Sequence, residues 1–195
     1  MILTYKINND INKVYIKKNI NHFILKELKR AHSDKKILFV FDQNISLNLV
    51  KSILDNLKIS GCKIITLKLG AQKTNKSSKI LFKIIDNLIN NNFTKKSVLV
   101  SLGGGVIGDI CGLASSLYLR GLIYMHIPTT ITAMTDSCIG GKCAINYKNI
   151  INSLGTYYHP KSVFIDLRIV NEMPEREYLA GLPEILKCGL IKNKL

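Results

Sequence analysis

Glycines 103, 105 and 108, in the stretch Leu102-Gly103-Gly104-Gly105-Val106-Ile107-Gly108-Asp109, have the spacing G-x-G-x-x-G directly after the apolar run Val98-Leu99-Val100. Such a turn lets backbone N–H groups approach a pyrophosphate, and the dipole of the helix it opens favours the negative charge. The same glycines would serve a tight turn with close helix–sheet packing. A dinucleotide fingerprint also expects an acidic residue about twenty positions on to hold a ribose, and that neighbourhood is His126-Ile127-Pro128. Further polar groups follow closely. Thr129-Thr130 ends the next apolar run, and Asp136 precedes Gly140-Gly141-Lys142, a second glycine turn with a cation attached. Hydroxyls, a carboxylate, an ammonium and accessible backbone amides together describe a place for a nucleotide.

The elements that must position these groups are legible from periodicity. Residues 98–100 are β-branched and apolar without alternation, which reads as a strand buried on both faces. Residues 37–41, 62–67, 122–127 and 163–166 give further strands, and 5–7 and 14–16 shorter ones. Between them lie helical stretches at 20–30, 46–57 and 78–90; in the last, Ile80, Ile84, Ile85 and Leu88 share one face, and Asn90-Asn91-Asn92 ends it. Strands alternating with helices predict an α/β, doubly wound, mostly parallel sheet of Rossmann-like type. Ligands of such sheets sit at the C-terminal strand ends, so Gly105, Thr129 and Lys142 are expected in one crevice. Beyond 172 the pattern changes. Pro174-Glu175-Arg176-Glu177 opens a helix with acids in its first turn, Gly181-Leu182-Pro183 interrupts it, and a new helix starts at Glu184. The expected division is an α/β unit over 1–172 and the start of an all-α unit over 173–195.

Composition bounds the function class. A chain of 195 residues with 47% hydrophobic and 21% charged residues fits one globular core. No apolar run has the length of a membrane span and the first residues lack the order of a secretory signal, so the expectation is a cytoplasmic protein with no membrane partner. Cys62, Cys111, Cys138, Cys143 and Cys188 form no C-x-x-C pair and are expected as reduced thiols. The net charge of +15 raises nucleic-acid binding. Against it, the lysines are dispersed, arginines are few, and the cluster of Lys13 with Lys17-Lys18 lacks interleaved aromatics; no nucleic-acid partner is expected.

Six strings stand in order: GGGVIGD, YLRG, IPTT, TDSCIGGK, YYHPKSVFID and GLPEILKCGLI. In that register the chain, from about Asp42 onward, resembles 3-dehydroquinate synthase. The resemblance implies an enzyme of the shikimate pathway that takes a phosphorylated seven-carbon sugar acid, 3-deoxy-D-arabino-heptulosonate 7-phosphate, to 3-dehydroquinate and phosphate. It implies NAD as a recycled cofactor, zinc or cobalt as the metal, and a homodimer. Transient oxidation of an alcohol to a ketone acidifies the neighbouring C–H, so that phosphate leaves by elimination. An iron-dependent alcohol or glycerol dehydrogenase shares the glycine turn and the Thr-Thr pair and is the enzyme alternative. A non-catalytic remnant is the alternative of another class.

Residue by residue, the resemblance assigns Asp42, Asn44, Lys76, Gly104, Gly105, Val106, Ile107, Gly108, Asp109, Thr129, Thr130 and Lys142 to the dinucleotide. Asp136, Lys142, Asn152 and Lys187 go to the substrate and its chemistry, Arg120 to a phosphate clamp lent by a partner subunit, and Glu184 to the metal. Each has a plainer role open to it: Asp42 and Asn44 as an Asx turn before the helix at Ser46, Asp109 as a first-turn acid, Arg120 as a helix C-terminal residue before Gly121, and Lys142 and Glu184 as surface charges. The chain departs from the family pattern at two charged positions. Lys73 stands where a glutamate is usual, and Ile151 where a substrate-binding lysine is expected, with Lys148-Asn149 able to substitute only if the loop is re-threaded. His22, His32, His126 and His159 have no metal-ligand spacing and are expected to be structural or surface residues. A three-ligand zinc site therefore cannot be completed. The expectation is an N-terminal NAD-binding portion, truncated or one half of a split enzyme, inactive by itself.

Overall fold

The computed structural model describes residues 1–7, 10–31 and 36–192; His32 and the terminal Lys194-Leu195 lie outside them. The strands are β1 (Ile2–Ile7), β2 (Asp10–Lys17), β3 (Lys36–Asp42), β4 (Lys63–Leu69), β5 (Val98–Gly103), β6 (Ile123–Pro128), β7 (Lys142–Tyr147), β8 (Ile150–Tyr157) and β9 (Ser162–Asp166). The helices are α1 (Asn21–Arg30), α2 (Leu47–Ile59), α3 (Ser78–Asn90), α4 (Gly105–Leu117), α5 (Leu167–Asn171) and α6 (Glu175–Lys192). Seven strands make one sheet in the order β1-β2-β9-β6-β5-β3-β4, parallel throughout except for β1 on β2. The α/β, mostly parallel arrangement expected from the sequence is the one observed.

Alternation along each strand assembles the two faces. Ile37 and Phe39 of β3 join Val98 and Val100 of β5 on one side, with Ile24 of α1 and Val50, Ile53 and Leu57 of α2. Leu38, Val40 and Leu99 point to the other, where Leu81, Ile84 and Leu88 of α3 and Ile110 and Leu113 of α4 cover them. Every residue of β5 is buried, as its unbroken apolar run requires of a central strand with helices on both faces.

One buried charge, unforeseen in the sequence, ties α1 to the sheet. Glu27 is 6% exposed. Its Oε1 accepts from Tyr15 Oη at 2.5 Å, Arg30 Nη1 at 3.0 Å and Lys13 Nζ at 3.2 Å, and its Oε2 accepts from Ser162 Oγ at 3.3 Å. Burial pushes this carboxyl up, but the hydrogen bonds and charges of Tyr15, Lys13 and Arg30 outweigh it and hold it below its ordinary value.

The hairpin of β7 and β8 and the helix α6 differ from expectation. β7 and β8 form an antiparallel hairpin where the sequence suggested only a motif-bearing loop. Its turn places Lys148 and Asn149 at φ of 47° and 65°, the double positive φ of a two-residue hairpin loop. Asparagine is at home there, whereas lysine gives no such signal. In addition α6 runs unbroken through Gly181-Leu182-Pro183. Proline in a helix forfeits one hydrogen bond and usually kinks it. Here Gly181 lets the helix close on the body, since a Cβ at that position would stand 2.3 Å from Cβ of Ile131. Elsewhere α6 leaves Leu179, Leu186, Leu190 and Ile191 more than half exposed.

Candidate nucleotide-binding and catalytic site

From β3 the chain winds outward to β4, and from β5 the other way to β6 and β9. The reversal lies between β3 and β5, and open α/β sheets bind their ligands outside the C-terminal strand ends at such a point. A cavity of about 420 Å³ lies there, a size usual for small-molecule sites. The segments after β3, β5 and β6 supply Asp42, Asn44, Gly104, Gly105, Val106, Thr129 and Thr130 to it, seven of the positions singled out in the sequence.

Each is there for a local reason. Asp42 is buried at the end of β3, and its Oδ1 accepts from the Asn44 N–H at 3.0 Å. That is the Asx turn the sequence allowed, while the cap of α2 is Ser46, whose Oγ accepts from the Leu49 N–H. The turn into α4 is held by the Thr129 N–H, which donates to the Gly103 carbonyl at 3.1 Å. Gly104 is the N-cap of α4 and offers no side chain to its free amides, leaving the positive helix end to an anion. The glycines are not equivalent. A Cβ on Gly103 would stand 2.6 Å from Cβ of Ile107, and one on Gly108 3.0 Å from His126 Nε2, so both are required by packing. A Cβ on Gly105 would meet only Ser137 Oγ, at an ordinary 3.4 Å, and so leaves the helix end open. Ile107 is fully buried, so its side chain cannot touch a ligand and only its amide could.

Lys142 is not in this crevice, contrary to expectation. It lines a second cavity of about 740 Å³ with Asp109, Asp136, Ser137 and Asn152. The reason is the hairpin, which carries residue 142 at the start of β7 and covers α4 from the side. α4 stands between the two cavities, with Gly105 at one and Asp109 at the other. Lys76 couples them to the hairpin: its ammonium pairs with the Asp109 carboxylate and donates to Asn152 Oδ1. Asn146 reinforces the contact, its N–H donating to the Lys76 carbonyl at 2.8 Å. Burial pushes the Asp109 carboxyl above its ordinary value, Lys76 pulls it down, and Asp136 adds to the rise. Asp136 lies in a short π-helical stretch, Ala133–Ser137, a distortion often found at functional sites.

Several predicted residues stand apart. Lys148 is exposed on the hairpin turn with its ammonium over the Tyr147 ring at 5.7 Å, and Ile151 is 75% exposed, so no re-threading brings a lysine to the 151 position. Lys73 is exposed in a short 3₁₀ turn, Lys73–Asn75. Arg120 is exposed, at φ 63° in the link from α4 to β6, and lines neither cavity. Glu184 and Lys187 form an ion pair with each other on α6 and line neither cavity. Among the described residues no group of three or more His, Cys, Asp or Glu side chains could hold a metal ion; zinc or cobalt does not fit this chain's own donors. NAD does fit, on the uncapped α4 terminus and the open face of Gly105. Sequence reasoning missed the far wall of the first cavity, Ile169, Glu172, Met173 and Glu177, because nothing in α5 or the start of α6 has ligand-binding spacing. It also missed Ser137, which touches both regions.

Comparison with known proteins agrees with this geometry. Residues 66–180 match the family model described as 3-dehydroquinate synthase N-terminal. The 3-dehydroquinate synthase of Prochlorococcus marinus subsp. pastoris is 36% identical over 190 residues, covering 96% of this chain and 52% of that protein. That of Dictyoglomus thermophilum is 40% identical over 176 residues, covering 90% and 48%. The chain thus spans about half the length of the curated relatives it matches. Among solved structures, 2-epi-5-epi-valiolone synthase from Streptomyces hygroscopicus subsp. jinggangensis, with NAD+ and Zn2+ bound, superposes with a TM-score of 0.82 at 27% identity, covering 94% of this chain and 50% of that one. A protein described as a probable glycerol dehydrogenase from Sinorhizobium meliloti shares the fold at a TM-score of 0.65 and 16% identity, covering 89% of this chain and 44% of that one. No described helix is long and apolar enough to cross a membrane. With the match spanning the glycine turn, the Thr-Thr pair and the Asp136 to Lys142 segment, the chain belongs to the 3-dehydroquinate synthase family.

Proposed function

We propose that this chain is the NAD-binding portion of a 3-dehydroquinate synthase acting on 3-deoxy-D-arabino-heptulosonate 7-phosphate. The observation that carries the reading is the uncapped N-terminus of α4, facing Asp42 and Thr129-Thr130 across one cavity while Asp109, Asp136, Lys142 and Asn152 converge on the next. Asp42 and Asn44 hold the adenosine end, the amides of Gly105, Val106 and Ile107 the pyrophosphate, and Thr129 and Thr130 its flanks. NAD, when bound, supplies a reversible hydride acceptor. Lys142 and Asn152 then orient the substrate in the second cavity, and Asp136 sets the charge around its reacting hydroxyl. Arg120 is exposed and lines neither of these two cavities, which suits a homodimer in which it clamps the phosphate of the other subunit. The free thiols suit a cytoplasmic setting, and α6 is the start of a helical unit that follows the sheet.

Turnover by this chain alone is expected to be absent. Among the described residues Glu184 has no companion ligands, and Ile151 removes a cation whose loss at a phosphate or carboxylate contact is costly. Catalytic groups acting as a unit do not fail additively. Calorimetric titration with NAD tests the cradle. Phosphate release, assayed with zinc or cobalt and NAD, with and without the C-terminal half of a curated relative, tests the rest: release only with that half supports the reading. No NAD binding and no complementation would leave a non-catalytic remnant, and robust release by the chain alone would overturn the assignment of its missing groups.

A further inference from the structure

His126 of β6 is 2% exposed, and its Nε2 is a buried atom with no hydrogen-bond partner among the described residues. Its other ring nitrogen begins a chain. Nδ1 lies 2.7 Å from Ser101 Oγ, Ser101 Oγ 2.9 Å from Tyr124 Oη, and Tyr124 Oη 3.0 Å from the carbonyl oxygen of Gly108. A carbonyl only accepts, so the Tyr124 hydroxyl gives its one proton to Gly108. The Tyr124 oxygen must then accept from Ser101, and Ser101, its proton used, must accept from Nδ1–H. The chain therefore has one direction, and it leaves a lone pair on Nε2.

That lone pair faces the nucleotide helix, 3.0 Å from where a Cβ on Gly108 would stand. It also borders a small cavity of about 10 Å³, lined besides His126 by Gly108, Ser137, Gly141 and Lys142, which is room for one water molecule. Ser137 and Lys142 line the larger second cavity as well. Burial pushes the imidazole down to about 4, so the ring stays neutral at ordinary pH.

We propose that His126 is a positioning residue for the cradle: held as the Nδ1–H tautomer, it clamps α4 through the Gly108 carbonyl, and its Nε2 accepts from one ordered water shared with Ser137 beneath the Lys142 turn. The positioning role rests on the reading of α4 as the NAD cradle; the tautomer and the water are measured without NAD. The third glycine of the motif is then required by the imidazole that occupies its Cβ space, and the imidazole in turn fixes the helix whose free amides face the ligand.

Long-range proton–nitrogen NMR on the full chain labelled at histidine nitrogen reads the tautomer directly. The expected result is Nδ1–H in the wild type. Tyr124→Phe removes the oxygen to which Ser101 donates and frees the Ser101 hydroxyl to donate to Nδ1, so the His126 population should move toward Nε2–H. An Nε2–H wild type, or a tautomer unchanged in Tyr124→Phe, overturns the chain. Should that variant not fold, Ser101→Ala removes the hydroxyl acceptor of Nδ1 and should shift the same equilibrium. A crystal structure with ordered solvent should show a water within hydrogen-bonding distance of Nε2; a dry site refutes that part. In NAD titrations Tyr124→Phe should weaken binding about fivefold, the usual worth of one hydrogen bond. Equal affinity removes the positioning role and leaves the cradle standing, whereas a wild type that binds no NAD overturns the proposed function with the tautomer result intact.

Discussion

Gly105→Asp separates ligand binding from folding because of where its side chain would go. The new Cβ meets only Ser137 Oγ at 3.4 Å, an ordinary contact, and a carboxylate at the first position of α4 is favourable to the helix dipole by about 0.3–1 kcal/mol. The fold should be unharmed, with a melting temperature within about 4 °C of wild type. For a pyrophosphate on the α4 amides the same carboxylate is a like charge. At about 4 Å and an effective dielectric of about 20, one such pair costs about 4 kcal/mol, or about a thousandfold in Kd. Salt of about 0.1 M leaves this largely unscreened, since the Debye length is about 10 Å. Gly103→Ala is the control with the opposite profile: its Cβ would stand 2.6 Å from Cβ of Ile107, and overpacking of about 1–3 kcal/mol should lower the melting temperature by about 2–12 °C. Calorimetric titration with NAD and a thermal melt of each variant give both readouts. Undiminished NAD binding by Gly105→Asp would refute the anion site at α4, and a melt as depressed as that of Gly103→Ala would show that Gly105 serves packing alone.

Glu27→Gln should lower stability at neutral pH by about 3 kcal/mol, because it leaves Lys13 and Tyr15 around a neutral partner. The folded-state value of Glu27 is depressed, so its contribution is complete above the unfolded value and lost as pH falls through the folded one; wild-type and variant melting temperatures that do not draw together as pH is lowered from the ordinary glutamate value of about 4.3 would contradict this. Lys76→Ala should speed amide exchange across residues 142–157 and weaken NAD binding several-fold, because Lys76 joins Asp109 to Asn152; unchanged exchange would show that the hairpin is held without it. Gly181→Ala should lift α6 from the body, since the added Cβ would stand 2.3 Å from Cβ of Ile131, and faster limited proteolysis within 175–192 than in wild type is the expected sign.

What the sequence determined by itself follows from local regularities. The apolar run at Val98 to Val100 can be satisfied only by burial on both faces, and alternating strands and helices admit few topologies. The motif at 103–109 is therefore set at a C-terminal strand end, and Asp42, Gly105 and Thr129 do border one cavity. The tertiary structure decided what depends on residues distant in the chain. It moved Lys142 into a second cavity, because a hairpin whose turn is a lysine and an asparagine in positive φ has no strong local signal. It assigned the glycines different duties, since only three-dimensional neighbours say that Gly103 meets Ile107, Gly108 meets His126, and Gly105 meets almost nothing. It carried α6 through Pro183, because contact with Ile131 offsets a local propensity to break. The buried Glu27 and the His126 chain were invisible for the same reason. A carboxylate or imidazole on a helix or strand reads as a surface group until partners from other elements, Tyr15 and Ser162 for the one, Ser101 and Tyr124 for the other, close around it.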